Sequence, residues 1–251
     1  MTAPLGLRVS GLRKCFGGVT ALDDASLAVE AGELHALIGP NGAGKTTLVQ
    51  LVSGADRADV GRIELDGVEI GGLPMHRRVA LGLARSYQVS SLFPAFTALE
   101  NVALAVQARA RWRCAVWRPV QAQAALFDEA RQVLDTVGLG GRPDVAAGEL
   151  AHGERRRLEL GLAFATGARL LLLDEPMAGL GPEESARLIE LLRAFKGRVT
   201  IVLVEHDMDA VFRLADRISV LVHGRVIASG LPSQIRAHPE VRHAYLGESA
   251  A

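Results

Sequence analysis

Nine residues, Gly39-Pro40-Asn41-Gly42-Ala43-Gly44-Lys45-Thr46-Thr47, constrain this chain more than any others. They fit the pattern G-x-x-x-x-G-K-[ST], and their setting fits as well. The apolar run Leu34-His35-Ala36-Leu37-Ile38 reads as a buried strand leading in, and Thr46 to Val52 as the first turns of a helix leading out. Glycines let backbone N–H groups turn inward around an anion, and the helix N-terminus behind them adds roughly half a positive charge. In such a loop Lys45 reaches the β- and γ-phosphates and the Thr46 hydroxyl binds Mg²⁺. A glycine-rich turn with an incidental lysine is the competing reading, and the flanking strand and helix count against it. The pattern implies a nucleoside triphosphate.

Upstream, Leu5 to Ser10 and Ala25 to Glu30 alternate like antiparallel strands of a small β layer. Phe16-Gly17-Gly18 lies between them. The aromatic ring can stack on a nucleotide base or pack in a core, and the residues alone leave both open. Downstream, Arg62 to Leu65 with Asp66-Gly67 predicts a strand and hairpin turn, and Leu81 to Gln88 a strand ending at Gln88.

From about Val89 to Glu149 the β pattern disappears. Thr97-Ala98-Leu99-Glu100 has the form of a capping box, opening a helix that runs to about Arg111. A second helix spans Ala122 to Val137, with Leu126, Ala130, Val133, Leu134 and Val137 on one face and Gly138 as its stop. Between them, Trp112 and Trp117 lie among arginines, a composition that suits a protein or lipid-headgroup interface as well as ordinary packing. Near Leu150 the αβ rhythm resumes: a helix over Glu154 to Thr166, a buried strand ending at Asp174-Glu175, a helix opened by Pro182, and a strand over Val199 to Val204 before Glu205-His206-Asp207. A hairpin near His223-Gly224 and a short helix from Pro239 close the chain.

Open α/β sheets bind ligands at the carboxyl ends of their strands. The phosphate loop, Asp174-Glu175 and His206 each follow an apolar strand-like run, which brings them to one edge. Asp174 then has the place of the carboxylate that holds Mg²⁺, and Glu175 that of a base for a water attacking the γ-phosphate. His206 can contact that phosphate or that water. The seven histidines have no zinc-ligand spacing with Cys15 and Cys114, and no G-x-S-x-G elbow accompanies them. Two thiols in a chain this long fit a reducing cytosol, and no apolar stretch approaches the roughly 18–20 residues of a membrane span. Lys+Arg and Asp+Glu both number 28, so no net field advertises nucleic acid; Arg155-Arg156-Arg157 reads as a solvated helix face or a local binding patch.

Together these motifs resemble the nucleotide-binding subunits of ATP-binding cassette (ABC) transporters, in the family's order and over nearly the whole chain. Phe16 matches the A-loop, Gly39 to Thr47 Walker A, and Gln88 the Q-loop. Leu150-Ala151-His152-Gly153-Glu154 matches the signature, Leu170 to Asp174 with Glu175 Walker B, and His206 the H-loop. Ala84-Arg-Ser-Tyr-Gln88, Leu92-Phe93, Thr97 to Val102, Val204 to Met208 and Ala244 to Glu248 are similar to the branched-chain amino acid importer ATPases of the LivG type. The resemblance implies an α/β fold: a phosphate-loop NTPase (RecA-like) core with an antiparallel β sub-domain over 1–88 and 155–251, and an inserted α-helical signature sub-domain over 89–154.

It further implies ATP and Mg²⁺ as cofactors. Phe16, Asn41, Gly42, Ala43, Gly44, Lys45, Thr46, Thr47 and the signature residues Leu150, Ala151, His152, Gly153 and Glu154 would bind nucleotide. Glu175, His206 and Gln88 would be catalytic, and Thr46, Gln88 and Asp174 would hold the metal. The implied partners are transmembrane permease subunits, a second ATPase subunit (a paralogue or this chain again) joined head to tail, and indirectly a solute-binding protein, with no nucleic acid. The implied location is the cytoplasmic face of the bacterial inner membrane. A lipopolysaccharide-export ATPase and a soluble ABC ATPase acting on nucleic acid or ribosomes are the alternative readings. Two departures stand out: Ala151 lacks the hydroxyl of the usual L-S-G-G-Q, and Gly181 stands where many relatives place an aspartate.

Overall fold

Uninterrupted apolar runs become parallel strands when both faces of a sheet are covered, and three of them do so here. A computed structural model describes residues 5–86, 92–109 and 124–241. In it β3 (Leu34–Ile38), β7 (Leu170–Asp174) and β8 (Thr200–Val204) are buried at every position. With β6 (Leu83–Arg85), β9 (Arg217–Val222) and β10 (Arg225–Gly230) they form a six-stranded sheet ordered β10-β9-β3-β8-β7-β6. All neighbours are parallel except the β9–β10 hairpin. The register sets Leu37 beside Val204 and Asp174 beside Val204, so three strands end at one edge.

A smaller antiparallel sheet is ordered β2-β1-β4-β5, from β1 (Leu5–Phe16), β2 (Val19–Glu30), β4 (Val60–Leu65) and β5 (Val68–Glu69). β1 and β2 are longer than the alternation predicts. Pairing continues through register shifts near Gly11 to a tight turn after Phe16, a feature that short-range periodicity does not carry. Helix α1 (Lys45–Ser53) contributes Leu48, Val49, Leu51 and Val52 to a core shared with Val9, Leu27 and Val29 of the small sheet and Leu37, Leu170 and Val202 of the large one.

Helix α2 (Met75–Ala80) was not predicted, because its apolar periodicity is weak; its purpose is tertiary. Arg78 is 1% exposed and donates to Leu51 O (2.6 Å), Val52 O (2.8 Å), Gly71 O (2.9 Å) and Leu73 O (2.9 Å), closing the C-terminal end of α1. Burial holds its pKa below the ordinary arginine value.

The described residues fall into two compact units. The first comprises, of these, residues 5–85, 169–175 and 195–241 and holds both sheets; the second comprises residues 86, 92–109, 124–168 and 176–194. In the second, α3 (Ala98–Arg109), α4 (Ala124–Thr136) and α5 (His152–Ala165) pack on one another, and most of α6 (Pro182–Phe195) belongs there too. The capping box forms as predicted: Thr97 N donates to Glu100 Oε2 at 2.8 Å, and Glu100 N to Thr97 Oγ1 at 3.1 Å. The predicted apolar face of α4 is buried, and Gly138 turns the chain at φ 70°.

This helical unit is larger than the 89–154 expected. The α5 helix, assigned from sequence to the nucleotide core, instead packs on α3 and α4. Gly161 sits against Val133 and Val137, where an added Cβ would meet Val137 at 3.2 Å. The predicted strand over Leu81–Gln88 is shortened to β6, and Gln88 itself lies outside the described residues, as do Trp112, Trp117 and Ala244 to Glu248. Helices α7 (Met208–Leu214), α8 (Pro232–Ala237) and α9 (Pro239–Val241) complete the first unit. Among the described residues no helix is long and apolar enough to cross a membrane.

Candidate nucleotide site

The loop between β3 and α1 turns so tightly that side chains are excluded at its two ends. A Cβ on Gly39 (φ 155°) would stand 2.0 Å from Leu221 O, and one on Gly44 (φ 104°) would stand 2.4 Å from Ala21 O. Gly44 is the N-cap of α1, so the helix starts without a side-chain cap and its first N–H groups face the loop. Ala43 O accepts from Gly224 N at 2.9 Å, which ties the loop to the β9–β10 turn.

Lys45, 7% exposed, folds back over the loop and donates to Gly39 O at 2.7 Å and Pro40 O at 3.0 Å. Burial lowers its pKa, while the carboxylates of Glu175 and Asp174 work in the opposite direction. Thr46 is exposed and Thr47 half-buried, at the start of the helix.

At the end of β7 the Asp174 side chain is 2% exposed, with Arg85 Nη2 3.5 Å from Oδ2. Burial raises its pKa above the ordinary carboxylate value, and the Arg85 guanidinium offsets only part of that rise. Its Oδ1 is buried and has no hydrogen-bond partner among the described residues. Glu175 follows at φ 51°, a left-handed conformation that costs a non-glycine residue about 1–3 kcal/mol. Two contacts hold it there: its N–H donates to Val204 O at 2.9 Å, and its Oε1 pairs with His206 Nε2 at 2.5 Å. Downstream of His206, Asp207 caps α7 by accepting from Ala210 N at 3.1 Å. Asp174, Glu175 and His206 therefore stand at the edge of the large sheet where β3 gives way to the loop that carries Lys45, as their strand-end positions predict.

Phe16 stands at the hairpin tip, 48% exposed, with Lys14 Nζ 5.1 Å from its ring centroid. That exposure removes the core-packing alternative. In the helical unit, Leu150 is buried, Ala151 and His152 are exposed, and α5 begins at His152. Glu154 is occupied locally: it accepts from Ala151 N at 3.0 Å and from Arg142 Nη1 at 2.7 and 2.8 Å. Burial opposes its ionised form, but the Ala151 N–H and the Arg142 guanidinium prevail and hold its pKa below the ordinary value. Arg155-Arg156-Arg157 is neither a solvated face nor a binding patch. Arg156 donates to Pro176 O at 3.2 Å, Arg157 donates to Val137 O and Gly138 O at 3.1 and 2.9 Å, and both are buried.

One further residue at the sheet edge belongs to none of the nucleotide-binding motifs. Arg85, inside Ala84-Arg-Ser-Tyr-Gln88, bridges Ser53 Oγ (3.2 Å) and Asp174. Nothing local marks it, because its partners lie 32 and 89 residues away.

Comparison with known proteins gives the family of the chain. The ABC transporter family model matches residues 22–178, and a model described as branched-chain amino acid ATP-binding cassette transporter matches residues 225–251. The chain is 39% identical to the high-affinity branched-chain amino acid transport ATP-binding protein BraF of Pseudomonas aeruginosa, over 99% of this chain and 100% of that one. It is 37% identical to LivG of Escherichia coli K12 with the same coverage. Among solved structures, the ADP conformation of MJ1267, an ATP-binding cassette of an ABC transporter, superposes with a TM-score of 0.83 at 26% identity, covering 97% of this chain and 99% of that one. A post-hydrolysis dimer of the cassette MJ0796 with ADP and Pi shares the fold at TM-score 0.77 and 22% identity, covering 90% and 98%.

A phosphate loop, a strand-end acid pair and a histidine on this fold define an ATP-hydrolysing cassette, and the chain belongs to the ATPase subunits of ABC transporters. Within them it is a member of the LivG/BraF family of branched-chain amino acid transport ATP-binding proteins.

Proposed function

We propose that this subunit powers uptake of branched-chain amino acids or closely related small solutes, by Mg²⁺-dependent ATP hydrolysis at the sheet edge described above. The observation that carries the chemistry is the ending of β3, β7 and β8 at one edge, which sets Asp174, Glu175 and His206 beside the loop that holds Lys45. The transport reading is supported by similarity to BraF and LivG along nearly the full length. Those relatives favour the importer over the lipopolysaccharide exporter and over a nucleic-acid-directed ATPase.

In this reading Lys45 and the loop N–H groups hold the β- and γ-phosphates, and Phe16 stacks on the base. Glu175, oriented by His206, accepts a proton from the attacking water. The residues present fit Mg²⁺. Asp174 Oδ1 is a buried carboxylate oxygen with no partner among the described residues, and Thr46 is exposed at the helix start. Mg²⁺ characteristically takes one or two protein oxygens and completes its shell from phosphates and water, so no larger protein cage is needed. Among the described residues none is gathered. Held by Asp174 and Thr46, the metal would supply neutralisation of the phosphate charge.

The working form is a head-to-tail pair in which each signature, Leu150 to Glu154, faces the nucleotide of the other subunit. The helical unit and Gln88 engage permease subunits at the cytoplasmic face of the membrane. The test is capture by the tagged Glu175→Gln protein with Mg-ATP from detergent-solubilised membranes. Two polytopic membrane proteins and a second ATPase subunit are expected, and the permease reconstituted with the chain should take up labelled leucine, isoleucine or valine. Recovery of only soluble nucleic-acid or ribosomal proteins would overturn the transport reading.

A further inference from the structure

We propose that Arg85 is a positioning residue for the Asp174 carboxylate, turning one of its oxygens toward the metal and keeping the other engaged. The inference rests on the reading of Asp174 as a Mg²⁺ ligand and names the residue that makes it one. Three observations carry it. Asp174 has a side chain 2% exposed, so solvent does little to orient it. Its Oδ2 faces Arg85 Nη2 at 3.5 Å, while its Oδ1 is buried and has no hydrogen-bond partner among the described residues. Arg85 is itself anchored, with Nη1 donating to Ser53 Oγ at 3.2 Å, and Ser53 Oγ donating in turn to Gln50 O at 3.0 Å.

The arrangement thus runs from the last turn of α1, whose first turn carries Lys45 and Thr46, through β6 to the end of β7. A planar guanidinium with fixed donors can bridge a hydroxyl and a carboxylate at defined angles, and a lysine ammonium cannot do so as rigidly. Partners of this kind orient metal-binding carboxylates, and their loss typically costs about 10- to 100-fold in metal affinity. A guanidinium near a metal also repels it. The two effects have opposite signs, which makes the proposal decidable.

The experiment measures the affinity of a fluorescent ATP analogue in Mg²⁺ and in EDTA, in the hydrolysis-impaired Glu175→Gln background. The ratio of the two dissociation constants is the metal-dependent gain. Arg85→Met should leave the EDTA affinity unchanged and cut the gain about 10-fold, with Arg85→Lys recovering part of it. Asp174→Asn, run in parallel, should abolish the gain. An Arg85→Met protein that keeps or increases the gain, while Asp174→Asn loses it, overturns this inference alone and would mean that repulsion or indifference prevails. A loss of EDTA affinity in Arg85→Met would show a structural role and also overturn it. If Asp174→Asn keeps the gain, the metal-ligand reading falls and this inference falls with it.

Discussion

The sheet edge and the start of α5 are both places where the family resemblance puts nucleotide contacts, yet they are built in different ways. At the sheet edge, function rests on side chains fixed from several directions. Asp174 is buried against Arg85, Glu175 is held at φ 51° by Val204 and His206, and Lys45 lies folded over its loop. At the start of α5 the side chains have largely withdrawn. Ala151 has no hydroxyl, Glu154 is bound to Ala151 N and Arg142, and backbone N–H groups with the exposed His152 are what the helix offers outward. The first region is preorganised for chemistry by the chain itself. The second is a helix start with little side-chain chemistry of its own, and in the proposed head-to-tail pair its contacts are completed by the facing subunit.

If that contrast is real, the largest loss on substitution belongs to the sheet edge. Glu175→Gln should lower ATP turnover about 10²- to 10⁴-fold while ATP binding persists, since it removes a proton acceptor and leaves the loop intact. Steady-state phosphate release together with nucleotide-binding titration checks both halves. Turnover within a few-fold of the parent would remove Glu175 from the base role and dissolve the contrast.

The support behind the edge should come next. Arg78→Met strips the α1 C-terminal carbonyls of Leu51 and Val52 of a buried donor, together with those of Gly71 and Leu73. Leaving buried carbonyls unpaired is expected to cost about 3 kcal/mol. Urea unfolding would read this as a lowered transition midpoint, confined to the probe that follows the sheet-bearing unit. A neutral result would show that the carbonyls find water or other donors.

Phe16 sharpens the comparison from the other side, because it touches so little. With its ring half in solvent, Phe16→Ala should leave thermal stability within about 0.5 kcal/mol of the parent. If the ring stacks on the base, nucleotide affinity should fall by about 1–2 kcal/mol, read with adenine nucleotides against the triphosphate moiety alone. Equal loss for both ligands would exclude base stacking as the cause.

What the chain discloses in one dimension follows the same division. Strands β3, β7 and β8 are legible because a run of apolar residues ended by polar ones leaves little choice about burial, and their ends locate Lys45, Asp174 and His206. Thr97 with Glu100, and Gly138, are legible because capping is settled within four residues. Arg78, Arg85, Arg156 and Arg157 are not. Arginines in a polar stretch look alike until the fold brings carbonyls or a carboxylate to them from tens of residues away. The allegiance of α5 is hidden for the same reason, since Gly161 becomes meaningful only beside Val133 and Val137.

The smallest expected effect bears most directly on the second region. Ala151 is the N-cap of α5, with extended backbone (φ −60°, ψ 160°) and no side-chain acceptor for the first turn. Ala151→Ser would supply one, and a serine N-cap in place of alanine is worth about 0.5–2 kcal/mol of helix stability. Denaturation followed in the helical unit should therefore shift upward by about 1 kcal/mol. The same hydroxyl would stand where the resemblance places a contact to the γ-phosphate of the facing subunit. Light scattering of Glu175→Gln and Ala151→Ser/Glu175→Gln with Mg-ATP separates the two consequences. A tighter ATP-dependent pair would mean that this chain works with a deliberately weakened clasp. A more stable helix with unchanged pairing would mean that the backbone N–H groups and His152 already satisfy the phosphate, and that the hydroxyl is dispensable at this signature.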